Sequence, residues 1–380
     1  MSERVANELR LMIEEAEQEE RCLVADSQRD RLRLCRLVRQ NRMTSPLRGL
    51  YCPTELWDRL NPAQRCRRIV RALARQHPYL PFCHVTAALI WDLPVSWQLL
   101  GQVHALRSTG GRRQGPASSI RWHQRSDAQV TNHDGVRVTS LDQTVVDCLC
   151  SLDFTEGLVV ADGYLRRTGT TRRQLQNLLK DLGHGVKGVP QARLTASFAD
   201  GRSESGGESA LRATIVKLGF PVPTPQLVIK DPIDPSRSFR LDLVVRNAAG
   251  VLVDIELDGR DKYLDPSLTG GADPEEVRRA ERLRESRVTA YGIEVARFSG
   301  SDARDAARVG RVLAAFGVAK GIPPQTQARN RTRGRARGLR WRQLRLGPHE
   351  LWYKVIDMRR RRRPQAGRRL PFQQSEVLCP

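Results

Sequence analysis

No run of apolar residues in this chain approaches the roughly 20 needed to cross a bilayer as a helix, and its N-terminus is charged where a signal sequence would be apolar. A soluble, cytoplasmic protein without a membrane partner is expected. Paired cysteine motifs are missing as well. Cys22, Cys35, Cys52, Cys66, Cys83, Cys148, Cys150 and Cys379 form no CxxC pair, so no zinc, iron–sulfur, haem or dithiol redox centre is signalled. The thiols read as reduced and mostly buried. Acidic residues are in short supply: 42 Asp and Glu stand against 64 Lys and Arg, leaving a formal charge of +22 and an isoelectric point near 10.7. Such a balance calls for a polyanionic partner, DNA before an acidic membrane surface.

What is present has room for two or three domains, since the chain is 380 residues long with 39% hydrophobic residues. Residues 1–42 have almost no Gly or Pro and are dense in Glu, Arg and Leu, the composition of a helix or helix pair, with Leu32, Leu34, Leu37 and Val38 free to pack on the next domain. The run RLVRQNRMTSPLRGLY then passes through a turn at Ser45 and Pro46 to a strand at Leu50 and Tyr51, an order shared by the tail of a winged helix and by many other small αβ units. Residues 43–190 read as a mixed αβ domain. It has helices at 62–76, 85–91, 141–149, 156–166 and 172–182 and strands at 103–106, 120–122 and 136–138.

Residues 191–320 have a different rhythm. A helix at 208–218 ends at Pro221, strands follow at 226–230, 239–245 and 251–257, then a helix at 274–290, a strand at 293–298 and a helix at 302–316. The fold class is thus α/β, with a mixed αβ N-terminal domain and an α-βββ-α-β-α domain after it. From 321 to 380 the chain turns Pro-, Arg-, Gly- and Gln-rich, and its 16 basic against 3 acidic residues supply +13 of the net charge. It reads as a largely disordered basic arm. Arg333, Arg335, Arg337, Arg340 and Arg342 are its candidate DNA-binding residues.

The chemistry is concentrated in two adjacent strands. In VDIELDG, alternation sends Val253, Ile255 and Leu257 to one face and Asp254, Glu256 and Asp258 to the other. The preceding RLDLVV sets Asp242 between two leucines, and the short link RNAAG makes a hairpin in which Asp242 lies opposite Asp254 or Glu256. Converging carboxylates repel one another, and a hard divalent cation with oxygen ligands is the natural compensation; a solvated acidic sheet face is the plainer alternative.

The runs ESGGESALR, RLDLVV, VDIELDGRDKY, ERLRESRV and GIEVARF, in that order over about residues 203–317, resemble the Vsr-like endonuclease domains of the PD-(D/E)XK superfamily. The resemblance implies a PD-(D/E)XK-like fold and an endonuclease that hydrolyses DNA with Mg2+ or Mn2+. Glu208, Asp242 and Glu256 would be its metal-binding carboxylates, Asp258 would join them at the strand exit with Gly259, and Lys262 and Arg284 would be catalytic cations. Asp258 stands where the general pattern has lysine, as in many Vsr-like relatives. Glu281, Arg284 and Arg287 recur along one side of the next helix, facing either the site or an ion-paired surface. In the first half, CHVTAALIWDLPV, GVRVTSLDQTVVDCLC and VVADGYLRR resemble the AbiE-type antitoxins of type IV toxin–antitoxin systems, which implies DNA binding and a toxin partner. His84 there is read as a helix-start or packing residue with catalysis as the alternative; His104 and His123 lie in expected strands. Two functions follow: a metal-dependent DNA endonuclease, or an antitoxin-like DNA-binding regulator built on a degenerate nuclease fold.

Overall fold

The structure is a computed structural model that describes residues 3–107, 120–231, 233–234, 236–258 and 274–321. Gly259, Lys262 and the tail arginines Arg333, Arg335, Arg337, Arg340 and Arg342 lie outside the described residues. The fold is mixed α/β, and no helix among the described residues is long and apolar enough to cross a membrane.

The chain begins with α1 (Glu3–Gln18), β1 (Leu23–Val24), α2 (Gln28–Arg39), β2 (Met43–Thr44) and β3 (Leu50–Pro53). Ser27 starts α2 by accepting the Asp30 N–H. The strands form a three-stranded sheet in the order β1-β3-β2, so the turn at Ser45 and Pro46 closes a hairpin. One helix, α2, separates β1 from that hairpin.

The next segment packs α3 (Thr54–Arg59), α4 (Pro62–Gln76) and α5 (His84–Ile90) around two strand pairs. β4 (Val103–Leu106) and β5 (Ile120–His123) run parallel, whereas β6 (Val130–His133) and β7 (Val136–Thr139) form a hairpin. Its two-residue turn is Asp134-Gly135, both at positive φ (50° and 70°), the backbone that matches the twist of paired strands. Helices α6 (Leu141–Ser151), α7 (Phe154–Thr168), α8 (Arg172–Asp181) and α9 (Val189–Phe198) follow, and Phe198 meets Phe154 edge-on at 5.4 Å. Each of α6, α7 and α8 opens on a side-chain cap, Ser140, Asp153 and Thr171 respectively. Gly188 sits at φ +94° with Cys150 O only 2.0 Å from where a Cβ would be, so the turn before α9 admits glycine alone.

The last unit reads α10 (Gly206–Lys217), β8 (Thr224–Lys230), β9 (Ser238–Arg246), β10 (Leu252–Asp258), α11 (Pro274–Thr289), β11 (Glu294–Ser299) and α12 (Ala306–Ala315). Its sheet has the order β11-β10-β9-β8, with β8, β9 and β10 antiparallel and β11 parallel to β10. Alternation is realised in the packing. Val253 and Ile255 join Leu243, Val245, Ala296 and Phe298 in a core closed by Leu211 and Ile215 of α10 and Val309 and Leu313 of α12. On the opposite face Val244, Leu252 and Val295 meet Val288 of α11. The helix expected over 302–316 is interrupted: a short 3-10 turn, Asp302–Arg304, precedes Asp305, which caps α12.

Helix α10 is fastened to the first half of the chain through α7. Arg212 and Asp162, both fully buried, pair at 2.6 Å. Arg212 also donates to Phe198 O at 2.7 Å, and Asp162 accepts the Asp200 N–H at 2.7 Å.

Candidate functional site

The β9–β10 register sums to 498, as in Ile255↔Leu243, and one step further it sets Asp242 beside Glu256. Asp254 and Glu256 then share the face of β10 opposite the apolar core, and both are buried despite their charge. Asp254 is the extreme case. It is fully buried, no hydrogen bond of proper geometry from the described residues reaches either carboxylate oxygen, and its pKa is pushed up to about 8. Burial is the main cause and the charges of Glu256 and Asp242 come next; Arg284 and the Asp242 backbone N–H offset little of it.

Glu256 is also raised by burial, but it is paired on both oxygens. Arg284 of α11 holds Oε1 at 2.8 Å and Arg297 of β11 holds Oε2 at 3.2 Å. Arg284 spends its other arm on Arg240 O at 2.6 Å, and Arg297 also faces Asp258 at 3.6 Å and Glu285 at 3.0 Å. Arg287, three residues beyond Arg284, turns instead to Asp231 at 2.7 Å. The side chain of Glu281 lies outside the described residues.

Glu208 enters from the start of α10. A Cβ on Gly207 would stand 2.5 Å from Leu257 Cδ2, so glycine there permits the helix to begin this close to β10. Ser205 caps the helix by accepting the Glu208 N–H at 3.1 Å, and the Glu208 carboxylate accepts from Ser205 Oγ and the Glu204 N–H, each at 2.9 Å. This S-x-x-E arrangement is a capping device whose sequence signature is Ser205 followed by Glu208. Gln226 adds a third hydrogen bond, at 3.2 Å, from a backbone at φ +55° on β8. Burial raises the Glu208 carboxyl, and Asp242 contributes to the shift.

Asp242 is therefore the common neighbour: its charge acts on Glu208, Asp254 and Glu256 alike. Carboxylate oxygens around an unpartnered buried acid are the donor chemistry that suits Mg2+ or Mn2+. Against this, no three of these acids bring one oxygen each within 4.8 Å of one another among the described residues, and Glu256 already has two cationic partners. Sequence alternation put Asp254 on the acidic face without marking it as a ligand, and it did not mark Arg297 at all. Arg297 is legible only once β11 is known to run parallel to β10, which pairs it with Glu256.

A second feature bears on nucleic acid. Arg29, Arg31, Arg36 and Arg39 of α2, with Arg42 and with Arg48 in the β2–β3 turn, are exposed, and none enters an ion pair among the described residues.

No protein-family model matches the chain. Two uncharacterised proteins of Mycobacterium tuberculosis, MT2308 of strain CDC 1551 / Oshkosh and Rv2248 of strain ATCC 25618 / H37Rv, are each similar to it at 31% identity over 119 residues. The match covers 31% of this chain and 44% of each relative.

Proposed function

We propose that this chain is a DNA-binding protein whose residues 191–320 act as a Vsr-like PD-(D/E)XK endonuclease, hydrolysing phosphodiester bonds with Mg2+ or Mn2+. The observation that carries this reading is the convergence of Glu208, Asp254 and Glu256 on Asp242 within an α-βββ-α-β-α order of elements. Glu208, Asp242 and Glu256, with Asp258 at the strand end, are the residues that would hold the ion. When bound, it supplies a Lewis acid for the phosphodiester and a more acidic water. Arg284 brings a guanidinium to Glu256, positive charge where a phosphate's negative charge would build up, and Lys262 is the second candidate cation. The exposed arginines of α2 and the arginine-rich tail supply sequence-independent attraction to the duplex. Residues 43–190 are read as the antitoxin-like part, which brings a toxin into the proposal as a protein partner.

The alternative is a non-catalytic DNA-binding regulator on a degenerate nuclease fold. It is favoured by the two arginines on Glu256 and by the use of Glu208 as a helix cap. The two readings separate in a cleavage assay of the full chain on duplex, mismatched, branched and single-stranded DNA with Mg2+ or Mn2+. Cleavage that falls by orders of magnitude in Asp242→Asn and Glu256→Gln, with DNA binding equal or tighter, is the expected result, because each amide keeps the size of its acid and removes a charge that repels phosphate. A wild-type chain that neither cleaves nor gains thermal stability with either metal leaves the regulator.

A further inference from the structure

The first half of the chain gathers a donor set of a different kind. Cys83 precedes α5, His84 opens it, His104 lies on β4 and His123 on β5. His84 has φ +51°, a left-handed backbone that is uncommon for a non-glycine residue. Its ring is stacked on His123 with centroids 3.6 Å apart, and His123 Nε2 lies 3.1 Å from His104 Nδ1. One donor atom each from Cys83, His84 and His123 lie within 4.8 Å of one another. His84 Nδ1 is buried and has no hydrogen-bond partner among the described residues.

We propose that Cys83, His84 and His123 form a binding site for a zinc-class transition-metal ion, with His104 as the positioning partner of His123. A thiolate and two imidazoles are soft to borderline donors, which select Zn2+ and its neighbours over Mg2+. Among the described residues no carboxylate hydrogen-bonds any of these rings, and such a carboxylate is the partner that would orient a catalytic histidine. Simple packing explains the cluster less well, because it requires neither a left-handed helix start nor an unpaired buried nitrogen. All three histidines, with Gln98 and Arg121, line a cavity of about 230 Å3, and Cys83 stands behind them, fully buried. An ion on these donors thus has protein on one side and, on the other, room for a water or small anion beside Arg121. Binding replaces the S–H bond of Cys83 by a metal–sulfur bond and releases the proton to solvent.

The test uses the full chain, stripped with a chelator and titrated with Zn2+ and, in parallel, with Co2+. Uptake of one ion per chain is expected, with a thiolate-to-Co2+ charge-transfer band in the near ultraviolet that persists in Cys379→Ser and Asp242→Asn and vanishes in Cys83→Ser. His84→Ala and His123→Ala should weaken Zn2+ uptake by more than His104→Gln, for which a loss of about 10-fold is expected of an outer-shell partner. The wild-type Co2+ spectrum does not depend on any variant folding. A wild-type chain that is folded by circular dichroism yet takes up neither ion, or whose Co2+ complex lacks the thiolate band, overturns the proposal.

Discussion

Replacing Asp254 by Asn isolates the most strained ionisation in the carboxylate cluster. The folded chain holds this carboxyl near 8, whereas in an unfolded chain it titrates near about 3.9. Between those values the folded state carries one more bound proton than the unfolded state. Stability therefore falls as pH rises through this window, by at most about 1.4 kcal/mol per pH unit for one group, and the fall is complete above the folded value. Asn keeps the size of the side chain and removes the titration. The stability difference between Asp254→Asn and wild type should start near zero at the acid end and widen by at most about 1.4 kcal/mol per unit as pH rises towards 7. Local relaxation and water entry reduce the total, so a gain of about 1–3 kcal/mol at pH 7 is expected, or roughly 2 °C in Tm per kcal/mol for a chain of this size. Denaturant unfolding at pH 5, 6, 7 and 8 reads this slope. A second series with Mg2+ or Mn2+ should stabilise wild type at pH 8 more than the variant, since an ion relieves the repulsion that Asn has already removed. A difference that stays flat with pH, or a variant less stable than wild type at pH 7, would refute the view of Asp254 as an uncompensated buried acid.

Arg212→Ala should cost about 3–5 kcal/mol in equilibrium unfolding, because Asp162 would be left buried with the Asp200 N–H as its remaining strong donor. Truncation after Gly321 removes a segment of net charge +13 and should lower the salt slope of DNA binding by about 0.9 for each phosphate that the tail had neutralised; an unchanged slope makes the tail a passive one. Arg36→Ala combined with Arg39→Ala should weaken binding to all DNA sequences similarly and reduce the same slope, with the circular dichroism spectrum unchanged.

The last unit was readable from sequence because the apolar and acidic residues of β10 alternate and its helices end at punctuating residues. Val253 and Ile255 lie in the core and Asp254 and Glu256 on the other face, and each expected element of this unit lies within a few residues of its place. Strand β6 escaped notice because Val130-Thr131-Asn132-His133 has a single apolar residue and draws its order from the Asp134-Gly135 turn and its pairing with β7. Pairing that is distant in sequence was beyond reach for the same reason. Arg297 meets Glu256 across a parallel ladder, and the three histidines come from a helix start and two strands with no ligand-like spacing. Glu208 was legible in two ways at once, as an acid of the nuclease resemblance and as the fourth residue of S-x-x-E, and two of its three carboxylate hydrogen bonds are those of the cap.

That double use of Glu208 bears on how the two halves of the chain are joined. Glu208 and Arg212 are four residues apart on α10, one helical turn, so they share a side of the helix. One reaches Gln226 on the sheet and feels Asp242; the other is locked to Asp162 of α7. The same seam is tied by Lys217 to Thr155 at 3.2 Å and by Arg304 to Glu156 at 3.2 Å. A buried arginine–aspartate pair cannot slide without stranding a charge, so α10 must follow α7 as a body. Glu208 thus sits between the two, with β9 and β10 held by their own ladder and the start of α10 held by a cap and by Gln226. The α7–α10 seam, rather than the sheet, is what fastens the first half to the helix that carries Glu208.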